Sequence, residues 1–301
     1  MFFSMKFLIH LAFFFSVGLG VPVSAQEPAR ELLVISDIDD TIQHTQVRPH
    51  APGLRHEIAH YWKLAFNSIR NHDAFVGMAG LYGTLAANGA RLHYVSGAPQ
   101  FLFRLPEKFL QTSGFPVGSL WVRPNLSIST EEFKVAQIAK ILDANPFADV
   151  ILVGDNGERD IQVYERISND PRFRDRIKRV YIHDLYPQPI GHALRAGQTP
   201  YLTAADLALD LNRTGRLSHM ETLPVLRVVE QGLKSAYRSI RTRAFPNWAT
   251  LTERNLSRLQ LLGNSISDPE LKSAFFRVLT ELRRRPITGS GGFCGFIVTG
   301  L

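Results

Sequence analysis

Apolar residues in this chain gather in short runs that end in polar turns, with helix-length stretches between them. Leu32-Leu33-Val34-Ile35 enters Ser36-Asp37-Ile38-Asp39-Asp40-Thr41. Arg91 to Val95 enters Ser96-Gly97-Ala98-Pro99, and Val150 to Gly154 enters Asp155-Asn156-Gly157-Glu158-Arg159-Asp160. Short β-branched-rich runs alternating with helical stretches, one opened by Glu131-Glu132-Phe133-Lys134, predict βαβ units in a parallel sheet. Beyond about Ile190 the strand pattern gives way to helix. Helices are expected over Thr203–Asn212, capped by Thr203 and ended near Gly215, then over Leu223–Arg243, Trp248–Leu262 and Asp268–Arg284. The Gly-rich end from Thr288 to Leu301 is expected to be loosely ordered.

In a parallel α/β sheet, the loops after the carboxyl ends of the strands converge on one edge, where ligands bind. Asp37, Ser96 and Asp155 all hold that position, so residues more than a hundred apart in sequence are expected at one site. The turn at Asp37, Asp39 and Asp40 is costly by itself, because like charges this close resist joint ionisation and each loses solvation near a core. A divalent cation removes the conflict, since hard carboxylate oxygens suit Mg²⁺. The competing reading is an Asp-rich turn, a type of turn common after strands.

Together these segments resemble the four motifs of the haloacid dehalogenase superfamily of phosphotransferases: Asp37 to Thr41, Ser96, Lys134, and Gly154-Asp155 through Asp160. The stretches His44-Thr45-Gln46-Val47, Gly77-Met78-Ala79, His93 to Ser96 and Gly154 to Glu158 are similar, more narrowly, to the catalytic domain of the actin-patch-type phosphatidate phosphatases and their bacterial relatives, over about residues 31 to 190. The fold implied is an α/β three-layer sandwich with a parallel sheet, a small helical cap insertion at about 42–90, and a mostly helical C-terminal region at 195–301.

On this reading Asp37 is the nucleophile that forms an aspartyl-phosphate. Asp39 protonates the leaving group and then activates water. The resemblance implies that Asp39 also lends its backbone carbonyl to the metal. Asp37 and Asp155 hold Mg²⁺, with Asp160 as its outer partner. Lys134 supplies positive charge to the phosphoryl group. Ser96 and the loop at Gly97 bind phosphate oxygens, and Thr41 and His44 lie within reach of substrate. Each has a plainer alternative: Ser96 as a turn serine, Lys134 as a solvated helix residue with Lys140 as rival, His44 as a surface histidine, and Glu158 as a helix cap paired with Asp155.

His56-Glu57-Ile58-Ala59-His60 carries the zinc-protease spacing on a stretch, Leu54 to Ile69, that reads as helix. No Gly-x-x-His follows it, and no further Glu occurs before Glu107, so the third ligand is the difficulty for that reading. Met1 to Ala25, with one Lys, an apolar stretch from Phe7 and small residues at its end, reads as a secretory leader cleaved before Gln26. An exported protein, periplasmic or secreted, is expected; an N-terminal membrane anchor is the alternative. Cys294 is the single cysteine, which excludes an intramolecular disulfide.

A net charge of +7 suits an anionic substrate or an anionic membrane face. Arg227, Lys234, Arg238, Arg241 and Arg243, followed by Phe245 and Trp248, form a candidate basic interfacial patch. No nucleic-acid module is recognisable. The expected activity is a Mg²⁺-dependent phosphomonoesterase, acting on phosphatidate or a related lipid phosphate. The alternatives are a soluble small-molecule phosphatase and a secreted lipid- or protein-binding module.

Overall fold

The computed structural model describes residues 30–46, 74–188 and 190–287. The leader at 1–25, the His56–His60 motif, most of the cap stretch, Cys294 and the Gly-rich end lie outside the described residues. Six strands build one sheet: β1 (Leu32–Ser36), β2 (Arg91–Pro99), β3 (Ser119–Arg123), β4 (Asp149–Asp155), β5 (Ile177–His183) and β6 (Gln198–Tyr201). All neighbours pair in parallel, in the order β3-β2-β1-β4-β5-β6.

A parallel sheet needs cover on both faces, and the side chains of the central strands divide accordingly. Leu33, Ile35, Val150, Leu152, Val180 and Ile182 pack under α3 (Thr130–Asp143) and α4 (Asp160–Asn169). Val34, Leu92, Tyr94, Ile151, Val153 and Tyr181 face the other way. There they meet α1 (Met78–Ala87), α2 (Arg104–Thr112), α5 (Ala204–Arg213) and α6 (His219–Lys234). The helices α7 (Arg238–Ala244), α8 (Glu253–Asn264) and α9 (Pro269–Arg283) extend that second layer.

Several expectations shift here. Within the stretch 42–90 expected as a cap, Met78–Ala87 is an ordinary crossover helix, with Met78, Leu81 and Leu85 on the sheet. The region after 195 opens with a strand, β6, hydrogen-bonded to β5, and α5 to α9 share one core with the sheet. Gln198-Thr199-Pro200-Tyr201 is too short and polar to register as a strand, and only its place on the sheet edge makes it one. The helix expected over 223–243 starts earlier and is broken. A capping box of Ser218 and Glu221 starts α6, whereas Ser235 turns extended and Arg241 reaches back to the Ser235 and Ala236 carbonyls. The helix expected from Trp248 starts at Glu253, behind a Thr252–Asn255 capping box. The helices at 203–212 and 268–284 form with their expected ends, capped by Thr203 and Asp268.

Candidate active site

The strand order runs outward in both directions from β1 and β4, so the crevice at their carboxyl ends is the topological switch point, where open α/β sheets bind ligands. Asp37 leaves β1 at this point and Asp155 ends β4. The Asp37 N–H donates to the Val153 carbonyl at 2.9 Å, which fixes the turn to the neighbouring strand.

Lys134 lies on the first full turn of α3, started by the Ser129–Glu132 capping box. Only 1% exposed, its Nζ donates to Asp37 Oδ1 at 2.7 Å and to Asp160 Oδ1 at 2.6 Å, with Glu158 Oε2 at 4.0 Å. Its ammonium is held well on the charged side by Asp160 and Asp37, against the pull of burial. Lys140, the rival on the same helix, makes no such contact with the acidic group among the described residues.

The carboxylate oxygens of Asp37, Asp155 and Asp160 lie within 4.8 Å of one another, all buried. Burial raises Asp37 to about 6, with Lys134 opposing and Asp160 adding to the rise. Burial followed by neighbouring carboxylates lifts Asp39 and Asp155 well above the usual range. Asp160 also moves up, by burial against the restraint of Lys134. Glu158, 18% exposed at its side chain, is raised to about 7, again chiefly by burial. Asp155 Oδ1 accepts the Gly157 and Glu158 N–H groups, whereas Oδ2 is buried with no hydrogen-bond partner. One ammonium among so many carboxylates, together with an orphaned carboxylate oxygen, fits a hard cation held by Asp37, Asp155 and Asp160. Asp39 is absent from this carboxylate group, and its Oδ2 faces Ser96 Oγ at 3.5 Å.

The remaining expected residues have definite places. Ser96 is fully buried, and its Oγ accepts the Ala98 N–H at 3.1 Å, so the loop closes on the serine. A Cβ on Gly97 would sit 2.7 Å from the Thr130 side chain, so the loop can approach the start of α3 only with glycine there. Thr41 donates to Asp37 Oδ2 at 3.1 Å and sets the carboxylate's rotation. His44 accepts from the Trp248 indole at 3.0 Å and sits edge-on to Phe75, so it belongs to an aromatic cluster. Asp155 and Glu158 do not start α4, which begins after Arg159 without a side-chain cap.

Sequence reasoning overlooked the group that holds the acidic turn. Asp40 adopts φ 53, a left-handed conformation that Asp tolerates better than most residues. Its carboxylate accepts the Thr45 and Gln46 N–H groups at 3.0 and 2.8 Å, and the Tyr186 hydroxyl at 2.5 Å. The ring nitrogens of His183 lie 2.8 Å from the Asp40 carbonyl and 3.1 Å from that of Leu202. Burial outweighs these carbonyls and lowers His183 to about 4. Tyr186 and His183 come from a segment with no local motif, so only the Asp at a turn position was readable.

This geometry meets an independent finding. The sequence model of the catalytic domain of phosphatidate phosphatase APP1 matches residues 32–184, about half of the chain. The chain belongs to the APP1 phosphatidate phosphatase family. Saccharomyces cerevisiae phosphatidate phosphatase APP1 is 30% identical over 182 residues, covering 55% of this chain and 29% of that protein. An uncharacterised protein of Schizosaccharomyces pombe is 26% identical over 161 residues, covering 50% of this chain and 25% of its own length. The chain thus spans less than a third of either yeast relative. The matched stretch takes in Asp37, Ser96, Lys134, Asp155 and Asp160 but ends before β6 and the helices that follow.

Proposed function

We propose that this chain hydrolyses phosphate monoesters through an aspartyl-phosphate on Asp37, with Mg²⁺ as cofactor and phosphatidate or a related lipid phosphate as substrate. The observation that carries the reading is the buried contact of Lys134 with both Asp37 and Asp160, beside an Asp155 oxygen that lacks a partner. Family membership supports a phosphatidate-like substrate. The activity named for the yeast relative is that of a much longer protein.

In this mechanism a carboxylate oxygen of Asp37 attacks phosphorus as the bond to the leaving oxygen breaks. Thr41 and Lys134 hold Asp37 in one rotation, so the attack starts from an ordered nucleophile. Asp39 gives its proton to the departing alkoxide, and its raised pKa favours the protonated form needed for that step. The resulting Asp39 carboxylate then takes a proton from water, which attacks the acyl phosphate, releases phosphate and restores Asp37. Asp37, Asp155 and Asp160 would hold the cation, which when bound neutralises phosphate charge.

The test is phosphate release from phosphatidate vesicles and from a soluble aryl phosphate, with Mg²⁺, for the wild type and Asp37→Asn. Release from both substrates by the wild type alone is expected, and chelation should stop it. Turnover by clean Asp37→Asn rejects the nucleophile. Hydrolysis of the aryl ester alone rejects the lipid.

A further inference from the structure

We infer that the carboxyl edge of the sheet is a membrane-facing rim, where Phe101, Ile128 and Ile190 enter the headgroup region of an anionic bilayer; this rests on the lipid-phosphate reading above. Phe101, 66% exposed, stands in the turn Gln100–Leu102 directly after β2. Ile128, 36% exposed, lies between β3 and α3, and its carbonyl accepts from Arg123 at the end of β3. Ile190, 44% exposed, follows β5, and the next residues are tied to the site by the His192 N–H on the Asn156 carbonyl. All three therefore project from loops that leave the carboxyl ends of strands, around the crevice that holds Asp37.

The access geometry selects the bilayer as partner. The phosphate of a membrane lipid lies in the headgroup plane, and Asp37 is buried at the carboxyl edge. Lipid that stays in its bilayer meets Asp37 only if this edge lies on the surface, so whatever projects there must contact lipid. Exposed Arg159, between Glu158 and Asp160, stands on the same edge and suits anionic headgroups, whereas Arg104 beside Phe101 is paired with Glu107. Aromatic and aliphatic side chains flanked by cations are the composition of an interfacial contact.

The basic helices named from the sequence are less suited. Arg227 and Lys234 are paired with Glu270 and Glu230, Arg241 binds backbone carbonyls, and Phe245 is buried. Val117 and Phe147 are also exposed, but they precede β3 and β4 and so lie at the opposite edge, beyond the reach of a bilayer on the rim. They serve as internal controls.

The full chain is compared with Phe101→Ser/Ile190→Ser and with Phe147→Ser. Partitioning is measured by co-sedimentation with phosphatidylcholine–phosphatidylglycerol vesicles that contain no phosphatidate. The double variant is expected to lose about tenfold in partitioning and in release from phosphatidate vesicles, while aryl phosphate hydrolysis stays within about twofold. Phe147→Ser should match the wild type. Unchanged partitioning of the double variant, or an equal loss in Phe147→Ser, overturns the rim. In Phe101→Trp the added indole should be quenched by brominated phosphatidylcholine, and an unquenched indole overturns the rim independently of any folding defect. A wild type that cleaves the aryl ester but not vesicle phosphatidate, with partitioning still lost in the double variant, overturns the lipid substrate and supports the rim.

Discussion

Asp37 is held from two sides, by the Lys134 ammonium and the Thr41 hydroxyl, and each contact has a separable consequence. Lys134→Met leaves Asp37 and Asp160 facing each other, both buried, without the ammonium between them. Breaking a buried pair in this way costs about 3 kcal/mol. Without divalent cation, the variant's denaturant midpoint should fall accordingly, and millimolar Mg²⁺ should recover part of the loss. A loss that Mg²⁺ does not touch would count against a cation bound at Asp37, Asp155 and Asp160. Tyr186 acts one step away, by fixing Asp40 and with it the turn that carries Asp39. Tyr186→Phe removes one hydrogen bond to a charged group, worth about 1.5 kcal/mol, and should lower kcat about tenfold with KM nearly unchanged. A fall in Tm with kcat intact would make Tyr186 merely structural.

At the scale of elements, the end of β5 joins two connections, because His183 lies against the carbonyls of Asp40 and Leu202. Its folded pKa of about 4 lies below the ordinary 6.5. Between those values the unfolded chain binds a proton that the fold refuses, so stability falls as pH drops from about 6.5 to 4, by about 3 kcal/mol in all. The site carboxyls act in the opposite sense. Their raised values mean that the fold binds protons more readily than the unfolded chain, so they favour it as pH falls. Urea unfolding of wild type and His183→Gln across this range separates the two, and the wild type should show the steeper acid loss. Parallel curves would show that His183 is not kept neutral by the fold. A second element-scale constraint is Gly154, where a Cβ would stand 2.6 Å from the Asp160 Cβ. Gly154→Ala should displace Asp160 from Lys134 and reduce turnover at least about tenfold, read beside a Tm that falls less than in a core truncation.

The described residues form one sheet with two cores, and the larger core includes the C-terminal helices. Leu226 and Val229 of α6, Leu256 and Leu259 of α8, and Phe275 and Val278 of α9 are buried in the same cluster as Val34 and Ile151. Truncation after Gly215 would strip that cover from the sheet. It should yield aggregating protein that loses hydrolysis of soluble ester and lipid alike, checked by size-exclusion chromatography and aryl phosphate turnover. A soluble, active truncated protein would show that α6 to α9 are dispensable. Among the described residues, no helix is long and apolar enough to cross a membrane.

Local chemistry was legible along the chain because each signal is confined to a few residues. Apolar runs marked β1, β2 and β4, a capping residue and the helical pattern marked α5, the helical pattern alone marked α9, and the turn after β1 announced Asp37 and Asp39. The place of Asp37, Ser96 and Asp155 at one edge followed from the strand pattern, since parallel connections bring those ends together. The tertiary structure alone decided what depends on partners distant in sequence. Thr41 donates to Asp37, His44 joins Trp248, and Tyr186 closes on Asp40. A hydroxyl or imidazole binds whichever group the fold brings within about 3 Å, and no local pattern specifies that group. Strand β6 became a strand for the same reason: its short polar segment gains hydrogen bonds only because β5 already offers an edge.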